Sequence, residues 1–359
     1  MVFQTVLAGW QIRPTGIAVL VLLAAHSKAR GKRWLQNLGL FCGTFLVCTA
    51  LLEVALRVMG YGNLEIYEPD RKLYWRLKPN QDCYTKIDRR PVHINSHGTR
   101  GPEFQTEKPA DTIRILSLGD SRTFGWGLSD EETYSRRLEQ LLRERSGKAV
   151  EVINAGINAW SYPQMQVYFR DEGVRFRPDF VIVAEANLWT QFSEQNSPEF
   201  VDQFLGRVRL KNLLRRFALY HFFIEVQLQD FYQRHRTKFI PVDPKQDQFF
   251  KEQQQDDPDK VFREAIHNLC LTAMTNGVQP ILLYLPTAND LGKTNESQVL
   301  RVKREVAHQT GAPMVDLALQ LTPQGKALYL DADPVHLNAQ GNMIVAERLF
   351  ETMTNRFSP

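Results

Sequence analysis

From residue 113 onward, short apolar runs alternate with amphipathic segments, and that rhythm limits this 359-residue chain to a small set of folds. The apolar runs are Ile113–Leu118, Val150–Asn154, Phe180–Ala184, Pro280–Leu285 and Met314–Leu317. Helical spacing occupies Glu131–Arg145, Pro163–Glu172, Lys260–Thr275, Glu296–Gln309 and Ala339–Met353. Ser129 or Asp130 is placed to cap the first of these helices, with Glu131 and Glu132 complementing the dipole of its first turn. Repeated strand-then-helix units build parallel sheets, because parallel neighbours need a crossover connection. The expectation is a three-layer α/β/α sandwich with a short parallel sheet of about five strands.

The first strand runs into Gly119, Asp120 and Ser121, so Ser121 stands on a turn at the C-terminal edge of the sheet, where open α/β folds bind ligands. A serine hydroxyl is a poor nucleophile until a histidine takes its proton and a carboxylate orients that histidine. Asp333 and His336 supply both groups near the C-terminus. One turn of chain between them brings the carboxylate to Nδ1 and leaves Nε2 facing the serine. This points to a serine hydrolase or an acyl transferase.

These motifs resemble those of the SGNH, or GDSL-type, hydrolases. Gly119-Asp120-Ser121 matches the first block of that family, and Asn154 to Trp160 looks like the second. Asn187 falls where the third block has its asparagine, and Asp333 to Gly341 resembles the fifth block. The resemblance implies Ser121 as nucleophile and Asp333 and His336 as its partners. It also implies an oxyanion hole formed by the N–H groups of Ser121 and Gly156 and the side chain of Asn187. No metal or organic cofactor is implied. There are two departures: Arg122 stands where leucine is frequent, and Glu185-Ala186-Asn187-Leu188 replaces the usual Gly-x-Asn-Asp. Asn95 to Gly101 is similar to a segment that precedes the first block in membrane-anchored members.

Ahead of this domain, Leu38 to Leu52 carries no charge, and a helix over 35–58 is long enough to span a hydrocarbon core, which takes roughly 20 residues. Lys28, Arg30, Lys32 and Arg33 precede it, which keeps residues 1–34 in the cytoplasm and sends the remainder out. A cleaved signal peptide is the competing account, and an anchor is preferred because no clear small-x-small site follows the run. The apolar stretch Gly16 to Ala25 is too short to span unaided. The net charge of +4 has its source here: Arg13 and these four cations meet no acid before residue 35, and removing the five leaves −1. Nucleic acid is therefore not an expected partner, since it calls for a basic face on the folded domain. Residues 59–110 form an irregular lead-in with short strands, and 111–359 the catalytic domain, with a helical insertion at 190–258. Within the insertion, Leu210 to Ile224 has the pattern of one amphipathic helix.

Lesser features carry less chemistry. Cys42 and Cys48 lie inside the apolar helix, and Cys83 and Cys270 are expected to be unpaired. His93 and His97 are four apart, but Pro91 and Gly98 oppose a helix there, so no metal site is expected. Trp126, Trp160 and Trp189 lie just beyond strands one, two and three, as candidates for stacking on a sugar or lining an acyl groove. Family resemblance and location together lead to a membrane-anchored esterase with its domain in the periplasm or outside the cell. Its expected substrates are O-acyl esters, O-acetyl groups of cell-envelope or exported polysaccharide before lipid esters. Two alternatives stand beside it: an O-acetyltransferase with a membrane acyl-transfer partner, and a carbohydrate-binding or assembly protein with a degenerate site.

Overall fold

The computed structural model describes residues 14–85, 89–188, 191, 192, 194, 196–228, 258–331 and 333–357. It divides into two units, Met1–Met59 and Gly60–Pro359.

Among its described residues the first unit is one helix, α1, Pro14–Val58. It starts earlier than residue 35 because Pro14 suits a first helical turn and no further proline occurs before Val58. The short apolar stretch after Gly16 and the basic cluster are thus parts of the same helix. Its segment Arg33–Val58 is long and apolar enough to cross a membrane. Leu40, Phe41 and Leu46 are exposed along it.

The second unit opens with two antiparallel hairpins, β1 (Tyr67–Asp70) with β2 (Tyr74–Leu77) and β3 (Gln81–Tyr84) with β4 (Pro91–Ile94). The main sheet follows: β5 (Thr112–Gly119), β6 (Ala149–Gly156), β7 (Phe180–Val183), β8 (Gln279–Tyr284) and β9 (Met314–Asp316). The five strands are parallel in the order β6-β5-β7-β8-β9. Connections leave β5 in both directions, so the carboxyl ends of β5 and β7 flank the switch point at which such sheets form a crevice.

Side-chain alternation sends the two faces of the sheet to two cores. Leu116, Leu118, Val181 and Val183 join the core covered by α4 (Tyr162–Asp171), α6 (Pro258–Thr275) and α7 (Gln298–Thr310). Ile115 and Ile182 face α3 (Tyr134–Ser146) and α8 (Ala339–Phe357). The period of two, and not strand composition, decides the face. The predicted strands and helices all occur, with small changes at their ends. Ser129 caps a short 3-10 turn, Asp130–Glu132, through a capping box with Glu132, and Thr133 caps α3 itself.

The insertion differs from the expected single helix. It begins earlier, as α5 (Pro198–Leu214) with Ser197 as cap and Pro198 in its first turn, and breaks near Arg215 before a π-helical turn, His221–Leu228. Residues 229–257 lie outside the described set. Cys83 and Cys270 are buried free thiols, and burial pushes both up to about 12, which leaves them unreactive.

Candidate active site

Three side chains meet above the end of β5. Ser121, the first residue of the short helix α2 (Ser121–Phe124), has its Oγ 2.7 Å from His336 Nε2. His336 Nδ1 lies 2.6 Å from Asp333 Oδ2. An ionised carboxylate only accepts, so Nδ1 carries the ring proton and Nε2 is left to accept from Ser121. Burial works against ionisation of Asp333. The hydrogen bond and charge of His336 and the N–H groups of Val335 and His336 outweigh it and hold the carboxyl below its ordinary range. Asp120 accepts from Arg122 N at 2.9 Å and from Arg122 Nη2 at 2.7 Å, which caps α2 and ties its first turn down. His93 pairs with Asp82, and His97 with the carbonyl of Phe104.

Gly156 does not stand where its N–H could meet an acyl oxygen. It is buried, its N–H donates to Asn154 Oδ1 at 3.0 Å, and a Cβ there would collide with the backbone of Phe124. The glycine serves close packing of β6 on α2. Three residues on, Ala159 holds φ +67° and lines a cavity with Ser121, Asn187 and His336. Among the described residues no acceptor pairs with its N–H. A left-handed alanine is strained, and strain of this kind gathers at functional sites. Ala159 therefore replaces Gly156 as the candidate oxyanion donor. The sequence offered no glycine to mark the turn. Releasing the strain with Ala159→Gly, less the entropy lost by glycine, should raise stability by about 0.5 kcal/mol. A thermal melt would register this as roughly 1–2 °C.

Asn187 is held beside this turn, with its N–H donating to Trp160 O at 2.8 Å, and it lines the same cavity. Glu185, the departure in the third block, turns to a structural partner. It pairs with the fully buried Lys303 at 2.8 Å and accepts from Leu285 N and Tyr162 Oη. Lys303 Nζ also donates to the carbonyls of Ala184 and Leu283, binding the ends of β7 and β8 together.

Trp126 lines the cavity, and its ring stacks on His336 at 5.8 Å and 27°. Trp160 does not line it. It is fully buried, with Nε1 donating to Trp75 O, so the indole plugs the core. Trp189 lies outside the described residues.

Arg100 lies in the segment Asn95 to Gly101, whose sequence alone carries no role. Its guanidinium is buried over Phe124 and donates to Asp130 at 2.6 Å. It also donates to the carbonyls of Phe124 (2.7 Å), Gly125 (2.8 Å) and Leu128 (2.6 Å). Asn154 Nδ2 takes the carbonyl of Thr123. The carbonyls that a helix end leaves orphaned are thus satisfied on the segment joining Ser121 to Trp126. Lysine has no planar fork to reproduce this. Arg100→Lys should cost about 3 kcal/mol in a denaturant melt and roughly tenfold or more in turnover, since small misplacements of the nucleophile are expensive.

The cavity, about 430 Å³, extends from Ser121 and His336 to residues of the lead-in and the insertion, among them Glu65, Trp75, Phe204 and Arg215. The helical segment that interrupts the α/β rhythm is thereby a wall of the site.

The model of the GDSL-like lipase/acylhydrolase family matches residues 117–344. The chain belongs to that family, and its sheet and helices have the SGNH-hydrolase α/β fold. An ester-bond hydrolase is the class this membership supports. No curated protein sequence matches the chain. Among solved structures it is similar to a psychrotrophic esterase from Pseudoalteromonas sp., at 13% identity and TM-score 0.42 over 68% of this chain and 99% of that one. It is similar to an acetylxylan esterase from Geobacillus stearothermophilus, at 17% identity and TM-score 0.42 over 67% and 93%. A lipase/acylhydrolase from Enterococcus faecalis gives 14% identity and TM-score 0.42 over 69% and 98%.

Proposed function

We propose that the protein is a membrane-anchored serine esterase that removes short acyl groups, O-acetyl groups of a cell-envelope or exported polysaccharide first among them. The observation that carries this reading is the continuous relay from Ser121 through His336 to Asp333, at 2.7 Å and 2.6 Å. Ser121 Oγ attacks the ester carbonyl while His336 Nε2 takes its proton, and Asp333 orients the imidazole and stabilises the imidazolium. Negative charge then gathers on the carbonyl oxygen. The N–H groups of Ser121 and Ala159 and the amide of Asn187 receive it, each such donor typically contributing about 3 kcal/mol. His336 returns the proton to the departing alkoxide. Water, activated by the same imidazole, then hydrolyses the acyl-enzyme.

Anchoring rests on Arg33–Val58, long and apolar enough to span, with Lys28 to Arg33 before it, which supports an extracytoplasmic catalytic domain. The test is acetate release from an O-acetylated polysaccharide by the full chain in detergent, beside the Ser121→Ala variant. Release by the parent and none by the variant is expected; equal release by both would overturn the reading.

A further inference from the structure

The cavity beside Ser121 is walled by groups the esterase mechanism leaves unused, and several lie outside the family-matched residues 117–344. Glu65 and Arg215 are each 2% exposed and form an ion pair of 2.8 Å. Two hydrogen-bond donors converge on one carboxylate oxygen, Glu65 Oε1, namely Tyr67 Oη at 3.1 Å and Asn158 Nδ2 at 3.3 Å, and the same oxygen pairs with Arg215 Nη2. Glu65 Oε2 takes part in none of these three contacts. Burial first, and then the charge of Glu65, push the Tyr67 phenol well above its ordinary value, so it stays a donor. The Asn212 amide meets the backbone of Tyr67 on both its nitrogen and its oxygen, which ties α5 to β1 and fixes the two walls together. Beside this polar cluster, Trp75 stacks on Phe204 at 5.4 Å and 28°, and Val208 continues the apolar surface.

A buried ion pair contributes little to stability compared with apolar packing of the same volume, so its place in the wall of a ligand cavity calls for a ligand that uses it. An alkyl chain does not: lying against Glu65 and Arg215, it would return no hydrogen bond to either group. A sugar ring does. Its hydroxyls donate to a carboxylate and accept from amides and guanidinium, while its C–H face packs on an aromatic surface. The volume of about 430 Å³ lies within the usual range of small-molecule sites, about 300–1,000 Å³.

We infer that the wall built from Glu65, Asn158, Arg215, Trp75 and Phe204 is a glycosyl subsite that holds the sugar bearing the ester, with Glu65 Oε2 accepting from a ring hydroxyl. The inference rests on the esterase reading above and makes the lead-in and α5 the determinants of specificity.

The experiment compares kcat/KM of the full chain in detergent for an O-acetylated methyl glucoside, p-nitrophenyl acetate and p-nitrophenyl octanoate. The unmodified protein is expected to favour the acetate over the octanoate. Glu65→Gln is expected to lower the ratio of sugar-ester to p-nitrophenyl acetate turnover by about 10- to 100-fold, chiefly through KM. Because Glu65→Gln leaves Arg215 beside a neutral amide, Phe204→Ala serves as a second variant without a charge change, and the same ratio should fall. An unchanged ratio in both folded variants would overturn the subsite, as would faster turnover of the octanoate. Absence of any p-nitrophenyl acetate turnover by the unmodified protein would overturn the esterase reading beneath it, a separate failure.

Discussion

Replacing Ser121 with alanine is expected to lower kcat for p-nitrophenyl acetate by about 10⁴- to 10⁶-fold, with the melting temperature shifted by no more than about 2 °C. The hydroxyl is held 2.7 Å from a base whose other nitrogen is fixed by a carboxylate. Removing it deletes one oxygen from a half-buried position and leaves α2 and its Asp120 cap in place. What remains is whatever acceleration the oxyanion donors and substrate binding give to attack by water. Initial rates and thermal melts of both proteins check it. A loss below tenfold would locate the nucleophile elsewhere.

Asp333→Asn is expected to cost about 10³- to 10⁴-fold in kcat with little change in KM. An amide in place of Oδ2 can donate to Nδ1, which moves the ring proton to Nε2 and leaves nothing to accept from Ser121. The same substitution has a signature in stability. The folded carboxyl sits below its ordinary range, so its stabilising contribution is present above the unfolded value of about 3.9 and is lost as pH falls through the folded value. Melting temperatures measured across that window should fall less steeply in Asp333→Asn than in the parent. Equal slopes would mean that Asp333 has no such linkage.

The α/β core was legible because strand and helix periods differ and each apolar run was long enough to reveal its own. Ser121, Asp333 and His336 were legible for a related reason: a nucleophile after the first strand and a carboxylate one turn from a histidine have few other uses together. The candidate donor at Ala159 was hidden because a left-handed residue is readable only when it is glycine, and Gly156 nearby drew the reading to itself. Its actual use is close packing against Phe124. Glu65 and Arg215 lie far apart in the sequence, and nothing local marks a pair formed only when β1 meets α5. The course of α5 was misread because its apolar stripe continues past Leu214, while the backbone breaks near Arg215. Glu185 stood out as a departure, but its partner Lys303 lies on a helix whose spacing reads only as amphipathic.

The most direct test of the central claim is covalent capture. The full chain is treated with a fluorophosphonate, which reacts with activated serine hydroxyls, and the site is read by peptide mass spectrometry. A single adduct on Ser121, slowed at least about 10³-fold in His336→Ala, is the predicted result. An adduct on another residue, or labelling of Ser121 at an unchanged rate without His336, would contradict the mechanism.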